Sequence, residues 1–127
     1  MNLALWICAG LLAVVLLIGG VGKLIVPKEK MAAMRGAGWT ADVSARFLKT
    51  IGAIEVLGAV GLVLPAVTDI APVLVPMAAV GTALLMVGAM ATHLRRGEAV
   101  SAVGNLVYLA LAAFVAWGRF GPESFTS

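Results

Sequence analysis

The chain has 127 residues, 62% of them hydrophobic and 12% charged, and a net charge of +3. Soluble domains carry about 25% charged residues, so the composition excludes an ordinary soluble enzyme. The length allows a single domain over residues 1–127, with no room for a separate soluble module.

The basic residues fall in short clusters between apolar runs, which fits membrane topology and anionic lipid and argues against nucleic acid as a partner. The single Cys8 allows no internal disulfide, no paired-cysteine redox motif and no cysteine metal cluster. It reads as a small buried hydrophobe.

The first apolar run extends from Leu3 to about Val26, with Lys23 its only charge. About 20 helical residues cross a hydrocarbon core of about 30 Å, so this run is long enough to span. No basic residue precedes it and no small-residue cleavage motif follows, so a cleavable leader is not expected. Pro27 ends the run, and Lys28, Glu29 and Lys30 mark the water interface. Within the connection 27–45, Met31, Ala32 and Met34 beside Lys30 and Arg35 predict a short amphipathic turn on the surface, broken by Gly36 and Gly38. Trp39 reads as an interfacial anchor, and Thr40 as the cap of the next helix with Asp42 in its first turn.

The second span is expected over about 46–64, with Lys49 near one end and Glu55 deeper. Pro65 and Asp69 punctuate a tight turn, and Asp69 could cap a charge-free third span over about 70–92. Pro72 suits a first helical turn, whereas Pro76 is expected to kink the helix. The turn from His93 to Glu98 places Gly97 where a helix end favours a left-handed residue. A fourth span follows over about 100–117 and ends at Arg119 and Gly121-Pro122. One longer and two short connections make these spans an all-α, up-down-up-down four-helix membrane bundle. Gly19, Gly20, Gly52, Gly58, Gly81 and Gly88 are read as positions where helix backbones approach closely. Trp6 and Trp117 read as belt anchors at the outer interface.

Charge also sets an orientation. Lys28, Lys30 and Arg35 lie in the first connection and Arg95 and Arg96 in the third, while the second carries no basic residue. The positive-inside rule then places connections 27–45 and 93–99 in the cytoplasm and both termini outside, against a minor contrary signal from Arg119.

The charges inside the spans are the most informative feature. An ionisable group at the centre of a membrane helix costs roughly 2.5–3.5 kcal/mol on insertion scales, so such groups are rare and usually paired. Lys23 lies about 6 Å of helix from Pro27, and Glu55 roughly 13 Å from the start of its span. A lysine stem covers part of that offset, which makes a Lys23–Glu55 contact feasible. On the third span Thr82, Met86, Ala89 and His93 share a face, as do Ser101, Asn105, Tyr108 and Ala112 on the fourth. Lys23, Glu55, His93, Asn105 and Tyr108 are therefore expected to line one interior volume, as a ligand site or as a buried polar cluster. The same residues admit plainer roles. A Lys–Glu pair locks helix register, His93 suits an interface beside two arginines, and Asn105 and Tyr108 suit hydrogen bonds between helices. One histidine with one distant cysteine argues against a structural zinc site or bis-histidine haem, and no metal is expected. No residue set points to a catalytic role.

The order of these residues resembles the DoxX-like membrane proteins. The run Gly19-Gly20-Val21-Gly22-Lys23-Leu24, the run Gly52-Ala53-Ile54-Glu55-Val56-Leu57-Gly58 and the third span closing on His93 carry the resemblance, over essentially the whole chain. Many relatives have an arginine ahead of the first span, which is missing here. The resemblance implies a four-helix protein of the bacterial cytoplasmic (inner) membrane. Some relatives are subunits of quinone-linked oxidoreductases, including thiosulfate–quinone oxidoreductase, and others are tied to oxidative stress or membrane assembly. It implies a membrane quinone as ligand, a soluble or membrane redox partner, and no resident cofactor or turnover by the chain alone. A non-catalytic scaffold is the alternative; a thin four-span transporter would need a homo-oligomer.

Overall fold

The computed structural model describes residues 2–34 and 37–124, and its framework is set by four long apolar helices. They are α1 (Asn2–Ile25), α3 (Ala45–Thr68), α4 (Leu74–Arg95) and α5 (Ala99–Phe120), with the short α2 (Lys28–Ala32) and a 3-10 segment (Gly38–Asp42) between α1 and α3. The long helices have 24, 24, 22 and 22 residues and mean hydropathies of 2.6, 2.0, 2.0 and 2.0 in their most apolar windows, enough to cross a membrane. At about 1.5 Å per residue each is roughly 33–36 Å long, matched to a hydrocarbon core of about 30 Å. Arg35 and Gly36, expected in the amphipathic turn and its end, lie outside the described residues.

The helices form a ring in which α1 packs on α3, α3 on α4, α4 on α5, and α5 back on α1. On α1 the buried residues Leu5, Ala9, Leu12, Leu16 and Gly20 recur every three or four positions, which turns one stripe of the helix inward. Ala9, Leu12 and Leu16 join Ala59 and Leu62 of α3, Val75, Ala79 and Met86 of α4, and Ala112 and Val115 of α5 in the core. Leu57, Leu84 and Val100 are 71%, 68% and 87% exposed. Exposed apolar side chains on this scale suit contact with lipid, not water.

Four local expectations are corrected. Pro65 does not end the second span, because α3 runs through it to Thr68 and stops where Asp69 turns left-handed (φ 56°). Pro65 is buried in the bundle. The hydrogen bond it forfeits is a smaller penalty than an unsatisfied helix end in lipid. Asp69 thus closes α3 and does not cap α4, which begins only at Leu74. This later start puts Pro76 in the first turn, where its missing N–H would have had no partner, so no proline lies deep enough to kink α4. Thr40 and Asp42 belong to the 3-10 segment; Ser44 caps α3 instead, its hydroxyl accepting from the Phe47 N–H at 3.0 Å. Gly97, with φ +72°, adopts the expected left-handed conformation between α4 and α5.

The tryptophans also differ from a simple belt. Trp117 is 54% exposed, as an anchor would be. Trp6 instead has the Arg119 guanidinium 5.8 Å from its ring centroid, and Arg119 is buried and donates to the Glu123 carbonyl at 2.9 Å. α5 accordingly continues through Arg119 rather than ending at it.

Candidate functional site

The last two turns of α1 and the first half of α3 approach closely because both present glycine. A Cβ on Gly20 would stand 2.7 Å from the Gly52 carbonyl oxygen, and one on Gly52 would stand 2.8 Å from the Gly20 oxygen. Real Cβ atoms do not come that close to backbone, so only glycine permits this spacing. The approach brings Lys23 to Glu55, with Nζ 2.6 Å from Oε1. The two side chains are 15% and 12% exposed. Gly19, one turn before Lys23, leaves room for the other Glu55 oxygen, which a Cβ would meet at 2.9 Å. Gly81 and Gly88, expected as packing positions, have nothing within 4 Å of a Cβ; they form part of a cavity wall.

The connection between α1 and α3 folds back beneath the bundle. Thr40 is fully buried and its hydroxyl donates to the Ala37 carbonyl at 2.8 Å. Arg96, from the far turn between α4 and α5, donates to Asp42 Oδ2 at 2.6 Å. This anchoring puts Trp39 beside the ion pair, with Lys23 Nζ 6.0 Å from its ring centroid. Trp39 is therefore a wall of the site, where the sequence reading had it in the lipid interface. An ammonium near an indole face gains roughly 0.5–1 kcal/mol, more where water is excluded.

At the end of α4, His93 is buried and its Nδ1 lies 2.7 Å from Glu98 Oε1. Glu98 Oε2 lies 3.6 Å from Arg96 Nε, so one line of contacts links His93, Glu98, Arg96 and Asp42. The His93 hydrogen bond, with the nearby Arg96 charge, holds the Glu98 carboxyl below the usual carboxylate range against a smaller opposing effect of desolvation. Glu98 had been read only as a turn residue. The signal was present in Gly97, whose left-handed backbone reverses the chain and returns the next side chain to the helix end.

The ion pair, Trp39 and His93 border a cavity of about 610 Å³. Lys23, Glu55, His93, Asn105 and Tyr108 all line it, so the five candidate residues share one volume, and Trp39, Phe47 and Thr92 join them. Val15, Leu16, Ile51, Leu85 and Met86 make much of the rest apolar. A concave, mostly apolar space of this size with a few converging polar groups has the usual form of a small-molecule site.

The lining residues most open to the outside lie on α3 and α4. Those two helices touch at the far end, where a Cβ on Gly61 would stand 3.0 Å from the Ala78 Cβ. Nearer the polar groups a Cβ on Gly81 or Gly88 would meet nothing within 4 Å, and the lining residues Phe47, Ile54 and Leu84 are 50%, 44% and 68% exposed. The cavity thus opens sideways, between apolar side chains, toward the space lipid would occupy.

The model of the DoxX-like family matches residues 7–115 of this chain. The chain belongs to the DoxX-like family. No curated protein and no solved structure matches it. Membership together with four spanning helices makes this DoxX-like chain a multi-pass integral membrane protein. The matched region contains every residue of the cavity wall, whereas Trp6 and Arg119 fall outside it. Fold and activity separate easily, so the family by itself assigns no chemistry to the cavity.

Proposed function

We propose that this DoxX-like protein is a membrane subunit that binds a quinone or similar lipid-soluble molecule inside the bundle and serves a partner oxidoreductase. The observation that carries this reading is the cavity, where Lys23, Glu55, His93, Asn105 and Tyr108 meet within mostly apolar walls. In this reading the polar groups orient a headgroup, and Glu55 and His93 pass protons between the cavity and the cytoplasmic side. Electrons come from the partner, and the chain does not turn over alone.

Organic extraction of the mildly purified protein, followed by mass spectrometry, tests the assignment. A near-stoichiometric quinone in the wild type, lost in Glu55→Gln while the helical fold survives, is the expected result. Bulk phospholipid only, in the wild type and in Glu55→Gln alike, would instead favour a non-catalytic scaffold. The tight Lys23–Glu55 pair over the Gly20–Gly52 contact is the observation that keeps that second reading in play.

The reading places the protein in a bacterial cytoplasmic membrane with connections 27–45 and 93–99 inside, so that His93, Glu98 and Arg96 lie at the cytoplasmic end of the bundle. Single cysteines at Ala99 and Ser124, in a Cys8→Ser background, report this through an impermeant thiol reagent on intact cells. Position 124 should label and position 99 should not; the reverse pattern would invert the topology.

A further inference from the structure

The cavity distinguishes its charged groups from its neutral ones, and that difference bears on what it holds. Lys23 is already paired with Glu55 at 2.6 Å and His93 with Glu98 at 2.7 Å. Arg96, in the turn after His93, is shared between Asp42 and Glu98. Each of these groups already has a partner within the protein. Asn105 and Tyr108 are different. They stand one turn apart on α5, both line the cavity, and among the described residues neither side chain has a hydrogen-bond partner. No buried side-chain polar atom lacks a partner among the described residues, so the amide and phenol groups are accessible and not sealed within the wall.

We infer that the cavity selects an uncharged amphiphile, whose carbonyl or hydroxyl head hydrogen-bonds to Asn105 and Tyr108 and whose tail lies along the apolar gap between α3 and α4. The inference rests on the ligand-binding reading above and narrows it to a chemical class. An amide offers both donor and acceptor and a phenol the same, which suits a neutral head of either polarity. An ionic head would be taken out of water against charges that are already satisfied, which is unfavourable without a partner of its own.

Trp39, on the cavity wall, supplies the readout. The protein in lipid nanodiscs is titrated with a decyl-substituted benzoquinone while tryptophan quenching is followed, with Trp39→Phe defining the background. Decanol, decyl sulfate and decyltrimethylammonium, which share one tail, then compete. Decanol should displace the quinone, with both ions roughly tenfold or more weaker. Asn105→Leu and Tyr108→Phe should each weaken quinone binding about fivefold, the effect of one hydrogen bond. If either ion competes as well as decanol, or if both variants bind as the wild type does, the selectivity inference is wrong while the ligand-binding reading stands. Quenching no greater than that of Trp39→Phe would overturn both.

Discussion

Replacing Lys23 with methionine should destabilise the protein by about 3–5 kcal/mol, the cost of removing one partner from a buried ion pair. The Glu55 carboxylate would then lie 12% exposed, between Gly19 and the cavity, without its partner at 2.6 Å. Arg96 is engaged with Asp42 and Glu98 and does not line the cavity. The Lys23→Met/Glu55→Gln double variant removes both charges and should recover at least half of that loss, since neutral groups of similar size bear no charge-burial cost. The four corners of this double-mutant cycle are read by reversible unfolding in mixed micelles. A double variant as unstable as Lys23→Met would mean that the side chains matter for shape and not for charge. The pair would then be a poor candidate for proton movement.

The second large effect is expected at Gly52. Its alanine variant places a Cβ 2.8 Å from the Gly20 carbonyl oxygen and 2.9 Å from the Lys23 Cβ, and backbone cannot step aside as a flexible side chain can. Overpacking of this kind costs about 1–3 kcal/mol, against a gain of about 1 kcal/mol from better helix propensity. Gly52→Ala should therefore be clearly destabilising, and Gly52→Val more so. Gly20→Ala meets the mirror-image contact at 2.7 Å. Once α1 and α3 have separated for one methyl group, the other should fit at little extra cost, so the double variant should fall well short of the sum. Gly10 and Gly104 have nothing within 4 Å of a Cβ, and their alanine variants should be neutral or slightly stabilising. Equal losses at all four positions, in the same unfolding assay, would contradict the close-approach account. Because Gly52 also positions Lys23, its variants should loosen the ion pair, and ligand retention should fall in step with stability.

Much of the fold was legible in the sequence because a bilayer imposes local rules. A spanning helix must satisfy its own backbone, so apolar length alone located α1, α3, α4 and α5 to within a few residues. Helical periodicity alone put Thr82, Met86 and His93 on one face of α4, and all three are buried. The improbability of lone charges in lipid singled out Lys23 and Glu55 before any contact was visible. The errors came where a residue's meaning depends on its distance from a helix end. Pro65 and Pro76 were assigned opposite effects, and the order was wrong because α3 ends four residues later, and α4 starts four later, than hydropathy suggested. Between proline and hydropathy, the need to close each helix correctly prevailed.

Sequence by itself determined that this chain is a four-span membrane bundle carrying a small set of polar residues in its interior. Those properties follow from hydropathy and helical period, which act over a few turns. Tertiary structure decided which glycines touch. Gly20 and Gly52 lie at a helix crossing while Gly81 and Gly88 face open space, a difference of interhelical distance that no local pattern encodes. It also decided that Trp39 turns inward beside Lys23 and that Glu98 returns to His93. Above all it decided that the polar groups gather at one cavity whose most exposed lining residues lie on α3 and α4. Whether two helices meet or separate depends on side chains far apart in the chain, and only the assembled bundle brings those distances together.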